Sequence, residues 1–197
     1  MRKIVLSSIC LLTLFLIAAL VIVTNPQWYY FEDKLEHKNI VVYYDKPLPQ
    51  ETLVILNDVV QLIKKSDFYK PNLKFKVFMQ SERDRYTLLP FQFPRLGFGE
   101  SVQFISNNIY ISHADIENNQ AHSGLGTRTL SSVIAHEIVH ILIEKKFGYF
   151  ASRFGPFFRQ DDFSPMKYLW KEEGYAEYIA GDIKPSFEDG LDFLRGK

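Results

Sequence analysis

His136-Glu137-Ile138-Val139-His140 is the stretch on which the reading of this chain turns. It reads H-E-x-x-H and lies in a run, Thr129 to Phe147, that contains neither Gly nor Pro. Gly148 follows directly, placed as the C′ residue. Lys145 and Lys146 occupy the last turn, where cations suit the helix dipole. The run predicts a helix. Residues four apart on a helix lie about 40° from each other around the axis. His136 and His140 therefore share a face and can share a metal ion. Glu137 leaves from the neighbouring flank, too displaced to be a third ligand but within reach of a metal-bound water. Two imidazoles to hold a metal and one carboxylate to take a proton are what zinc-dependent hydrolysis needs.

Chance alone would put H-E-x-x-H in roughly one chain in a hundred of this composition, so the motif gains its weight from its setting. Val133, Ile134, Ala135, Ile138, Val139, Ile141, Leu142 and Ile143 make the helix apolar on nearly all sides, which predicts burial. Two His and a Glu in a buried helix are costly unless something pairs them. The competing reading is a pair of core histidines satisfied by hydrogen bonds.

A third ligand is expected from a second helix, opened by Ser164-Pro165 and closed near Gly181. Its run Trp170-Lys171-Glu172-Glu173-Gly174-Tyr175-Ala176-Glu177-Tyr178 places Glu173, Gly174 and Glu177 on one face. Gly174 and Ala176 are small enough for close approach to another backbone. H-E-x-x-H followed by W-x-x-E-G-x-A-x-Y resembles the gluzincin metallopeptidases, the group of thermolysin and the aminopeptidase-N-like enzymes. The resemblance covers about residues 129–181. It implies a zincin-like fold, Glu173 as third zinc ligand, and Glu177 as a carboxylate supporting His136. Two departures stand beside it. The gap from His140 to Glu173 is longer than in the best-known members, which implies an insertion. Glu172, next to Glu173, is also chemically able to ligate; the choice depends on helix phase, and the family pattern and the packing of Gly174 favour Glu173.

Lys and Arg together balance Asp and Glu, so the net charge is zero. No basic run with interleaved aromatics is present, which argues against a nucleic-acid partner. The single cysteine, Cys10, allows neither an internal disulfide nor a Cys-based zinc site. Residues 1–3 are a basic head. Ile4 to Val23 has no charge and no Pro, and as a helix would span about 30 Å, the thickness of a bilayer core. Trp28-Tyr29-Tyr30-Phe31 suits an aromatic anchor at the far interface. The expectation is a single-pass transmembrane signal anchor over 4–23, a juxtamembrane linker over 24–38 and an extracytoplasmic domain over 39–197. A cleaved signal peptide is the alternative, disfavoured by the length of the run and the lack of an A-x-A-like site.

Within the domain, Asn39 to Tyr44 reads as a strand. Pro49 to Tyr69 reads as a helix with Leu53, Leu56, Val59, Val60 and Ile63 on its apolar face, and Leu73 to Met79 as a half-buried strand. Ser81 to Leu96 reads as a loop. Val102 to Ile105 and Ile109 to Ser112 read as a hairpin turning at Asn107-Asn108. Gluzincins bind the substrate backbone along an edge strand, so this hairpin is the candidate for that role. Gly97-Phe98-Gly99-Glu100-Ser101 weakly resembles the G-x-M-E-N motif of aminopeptidases, which would make Glu100 the group that holds a substrate amine; an ordinary turn is the plainer reading. His113, His122, Tyr175 and Tyr178 are candidates for stabilising an oxyanion, each set against a simple packing or loop role. The aromatic-rich segment 148–164 is read as a pinned loop or, alternatively, a flap facing the membrane, and 185–197 as one short helix.

The fold class expected is α+β, with a small mixed sheet, metal-binding helices and one N-terminal transmembrane helix. The function expected is a membrane-anchored zinc metallopeptidase. It would carry one Zn²⁺ per chain on His136, His140 and Glu173, with Glu137 as general base and a peptide or protein as substrate. The rivals are a non-catalytic zinc-stabilised binding domain at a membrane surface and a zinc hydrolase of other amides or esters.

Overall fold

β-branched and aromatic residues dominate Ile40-Val-Val-Tyr-Tyr44 and Phe75-Lys-Val-Phe-Met79, and these form the paired central strands of a five-stranded sheet. A computed structural model describes residues 2–28, 30–82, 97–102, 106–148 and 165–181. Its sheet runs in the order β1 (Asp33–His37), β2 (Ile40–Tyr44), β3 (Phe75–Met79), β5 (Asn108–Ile111), β4 (Gly99–Val102). β2, β3 and β5 are parallel; β1 and β4 run antiparallel at the two edges. Helix α2 (Glu51–Ile63) makes the crossover from β2 to β3. The turn Lys38-Asn39 joins β1 to β2, with Lys38 in the left-handed region at φ 55°. Residues 33–37, expected in a linker, are thus an edge strand of the sheet.

Side chains alternate across a strand, so the sheet has two distinct faces. On one face Ile40, Val42, Phe75, Val77, Met79, Ile109 and Ile111 pack against α2 and helix α3 (Leu130–Phe147) as the main core. On the other, Tyr43, Phe78 and Tyr110 stack in a row, with ring centroids 5.0 and 5.2 Å apart. Phe31 packs on Phe78 at 5.2 Å, so this residue closes the aromatic layer rather than serving as an interfacial anchor. That layer is also why β3 is buried on both faces instead of half-buried: Phe78 has no exposed surface. In α2 the buried face is Thr52, Ile55, Leu56, Val59, Val60 and Ile63, while Leu53 turns out to solvent, so the apolar face is rotated from the expected one. The helix ends at Ile63, short of Tyr69.

The N-terminal segment is helical as α1 (Arg2–Thr24), and Asn108 Nδ2 donates to Thr24 O at 2.9 Å where it meets the sheet. Among the described residues, however, no helix is long and apolar enough to cross a membrane, which overturns the transmembrane assignment of 4–23.

The polar stretch before α3 forms a second sheet. Ala114–Asp115 (β6), Gln120–Ser123 (β7) and Gly126–Thr129 (β8) form a three-stranded antiparallel sheet. β8 leads straight into α3, whose N-cap is Thr129. Gly148 closes α3 as expected, at φ 83°, donating its N–H to Glu144 O. The last described helix is α4 (Pro165–Ala180). The expected loop over 83–96, the segment 149–164 and the tail from 182 onward lie outside the described residues.

Candidate metal centre

α3 is buried from Leu130 to Glu144, and His136, Glu137 and His140 are each only 8% exposed. Desolvating three such groups is affordable only if each finds a partner. The partners of both histidines come from α4. Val139 and Ile143 of α3 pack on Ala176 and Ile179 of α4. Ser132 Oγ donates to Ala180 O at 2.6 Å. The Tyr175 hydroxyl bonds Ser66 Oγ and accepts from Asp67 N, both at 3.1 Å, and so pins α4 to the chain that follows α2. These contacts set the rotation of α4. Ala176, fully buried, is the small residue at the helix contact; Gly174 faces open space, so the close approach expected of it is not made there.

With α4 so turned, Glu173 reaches both imidazoles. Its Oε2 lies 3.3 Å from His136 Nε2 and its Oε1 lies 3.4 Å from His140 Nε2. The two Nε2 atoms are 3.0 Å apart. His136, His140 and Glu173 thus offer three ligand atoms within 4.8 Å of one another, the separation a single metal ion requires. Glu173 is half exposed while both histidines are buried, so the group opens on one side.

The outward nitrogens also meet carboxylates. His140 Nδ1 is hydrogen-bonded to Glu172 Oε1 at 3.0 Å. His136 Nδ1 lies 3.4 Å from Glu177 Oε1 without an aligned hydrogen bond. Glu172 and Glu173 are adjacent in sequence yet divide the work: Glu173 faces the Nε2 pair and Glu172 backs His140. Metal-binding histidines need such an outer acceptor to fix their tautomer and orientation.

The electrostatics agree with this division. Hydrogen bonds to His136 and His140 hold the Glu173 carboxyl well below the usual carboxylate range. Burial pulls the His140 pKa down, but bonds to Glu172 and Glu173 and the charge of Glu137 outweigh it and push it up to about 10. Burial raises Glu137 above the usual carboxylate range, opposed by His140, His136 and a hydrogen bond to Ser101.

Ser101 belongs to β4, which lies against α3 through Gly99. A Cβ on Gly99 would stand 2.9 Å from Ile111 Cδ1, 3.0 Å from Glu137 Cγ and 3.2 Å from Val133 Cγ1. Only glycine lets the edge strand come this close to Glu137. Gly99 and Ser101 face α3, so strand alternation sends Glu100 to the opposite face, in register with Tyr110 and away from the ligand group. The other oxyanion candidates do not join the ligand group either. His122 is bonded to Thr127 Oγ1 at 2.9 Å and its ring lies 4.8 Å from that of His113. Tyr175 is tied to Ser66 and Asp67, and Tyr178 is largely exposed on α4.

Two participants were not foreseen. Ser101 carries no motif of its own beyond an unremarkable G-x-G-E-S string. Arg128, whose guanidinium donates to both oxygens of Glu177 at 2.9 and 2.7 Å, is distant from it in sequence and no spacing links them. No family model, curated protein or solved structure matches this chain.

Proposed function

We propose that this protein is a zinc metallopeptidase of the gluzincin type. The observation that carries the reading is the convergence of His136 Nε2, His140 Nε2 and the Glu173 carboxylate, with each imidazole's other nitrogen facing a carboxylate. Two nitrogens and one carboxylate oxygen form the donor set of catalytic zinc sites, which keep a further position open. Zinc bound there would supply Lewis acidity and bring the pKa of a water ligand down to about 7.

The chain's own residues account for the rest. Glu137, buried beside both histidines, is the proton acceptor for the attacking water and afterwards the donor to the leaving amine. Burial raises its pKa above the usual carboxylate range, which strengthens it as a base. The Ser101 hydroxyl holds that carboxylate against β4. Among the described residues β4 is an edge strand, so its outer backbone groups can pair with an extended peptide, which would bring a scissile bond alongside Glu137. Glu172 and Glu177 hold the imidazoles.

The test is cleavage of a mixed peptide library by the full chain and by Glu137→Gln. The expected result is cleavage by the wild type and its loss in the variant with zinc still bound. Stoichiometric zinc with no cleavage by either protein would favour a binding domain or a hydrolase of other amides or esters.

A further inference from the structure

The geometry points to Arg128 as a positioning residue that holds Glu177 against His136 and ties together the two helices that carry the metal ligands. This inference rests on the zinc reading above.

The arginine–carboxylate pair is bidentate: Nη1 donates to Oε1 at 2.9 Å and Nη2 to Oε2 at 2.7 Å. Both side chains are about three-quarters buried. A planar fork on a planar carboxylate fixes orientation as well as distance, which a lysine ammonium does not do. Glu177 Oε1, the oxygen that Nη1 holds, is also the one 3.4 Å from His136 Nδ1. Glu177 makes no aligned hydrogen bond of its own to the imidazole, so its placement there depends on the arginine.

Arg128 is attached to the site from three directions. Along the backbone it sits on β8, next to Thr129, the N-cap of α3. Through its fork it grips α4. Its guanidinium carbon lies 5.6 Å from the ring centre of Phe98, which precedes Gly99 of the edge strand. It also brings positive charge to the Glu177 carboxylate beside His136. Without it, Glu177 would be an unbalanced carboxylate beside a metal ligand, free to leave His136 or to compete with Glu173 for the ion.

The test is a double-mutant cycle on zinc affinity, measured by competition with a chromophoric chelator on the full chain. Arg128→Ala and Glu177→Gln should each weaken zinc binding by about 10- to 100-fold, the range for losing an outer partner of a metal ligand. The double variant should bind no more weakly than the weaker single variant, because the arginine acts through the glutamate. Arg128→Lys should recover only part of the loss. Far-UV circular dichroism of each metal-free variant separates misfolding from weakened binding, and Arg128→Lys keeps the test valid if the alanine variant does not fold. Wild-type zinc binding with unchanged affinity in both Arg128 variants would overturn the role, as would fully additive losses in the double variant. Absence of zinc binding by the wild type would instead overturn the proposed function itself, and this role with it.

Discussion

Placing a single methyl group at Gly99 should damage both stability and turnover. The added Cβ would lie 2.9 Å from Ile111 Cδ1, 3.0 Å from Glu137 Cγ and 3.2 Å from Val133 Cγ1. Carbon atoms pack at about 3.5–4.0 Å, so all three contacts are short by roughly half an ångström. Ile111 Cδ1 is the end of a side chain and can rotate away, but Glu137 Cγ and Val133 Cγ1 sit close to the α3 backbone. Overpacking of this kind costs about 1–3 kcal/mol. Gly→Ala in extended backbone returns only about 0.4–1 kcal/mol through the unfolded chain, so the net effect of Gly99→Ala is destabilising. Moving Glu137 or β4 by about 1 Å should also lower kcat on the order of a hundredfold. Urea denaturation of the metal-free chain and steady-state peptide hydrolysis, read together, check both effects. Wild-type stability with full activity in Gly99→Ala would refute the packing of β4 on Glu137, and with it the placing of substrate along that strand.

Further expectations concern the same site. In the metal-free chain, the His140 pKa of about 10 means that its protonated form stabilises the fold fully below about pH 6.5. That stability is lost as pH rises through about 10, so denaturation midpoints should fall between neutral and alkaline pH; a flat profile would contradict the pairing with Glu172 and Glu173. Metal must displace that proton, so zinc affinity should rise with pH over the same interval, and competition titrations that show no pH dependence would count against His140 as a ligand. Tyr175→Phe should cost about 0.5–1.5 kcal/mol by removing the bonds to Ser66 and Asp67 and should lower kcat far less than Glu137→Gln does, and a loss as large as that variant's would return Tyr175 to the reaction. Ala176→Leu should force α4 away from Val139 and Ile143, costing about 1–3 kcal/mol and weakening zinc binding more than any substitution at the open Gly174.

What could be read from the amino-acid order was whatever depends on local spacing. The helix from Thr129 to Gly148, its burial, the pairing of His136 with His140 and the shared face of Glu173 and Glu177 all follow from a period of 3.6 residues and from cap residues. The β2–α2–β3 unit was legible from the β-branched and aromatic runs of its strands and the apolar face of its helix. Contacts set by tertiary rotation were not. Whether Glu172 or Glu173 faced the Nε2 pair depended on how Ala176, Ser132 and Tyr175 lock α4, and local pattern carries no such information. Arg128 meets Glu177 only because β8 and α4 are brought together by the fold. β1 was missed because Asp33-Lys-Leu-Glu-His37 is an edge strand with little apolar patterning, and Phe31 because its partners are on other strands. The apolar run of α1 reads as a bilayer span by composition, yet no described helix meets that requirement.

The most direct measurement is elemental analysis of the full chain, purified without chelator, as wild type, Glu137→Gln and His136→Ala. Near one zinc per chain in the first two, and its loss in the third, is the predicted result. A wild-type chain without zinc under zinc-replete conditions would contradict the account at its centre, leaving His136, His140 and Glu173 as a hydrogen-bonded buried cluster.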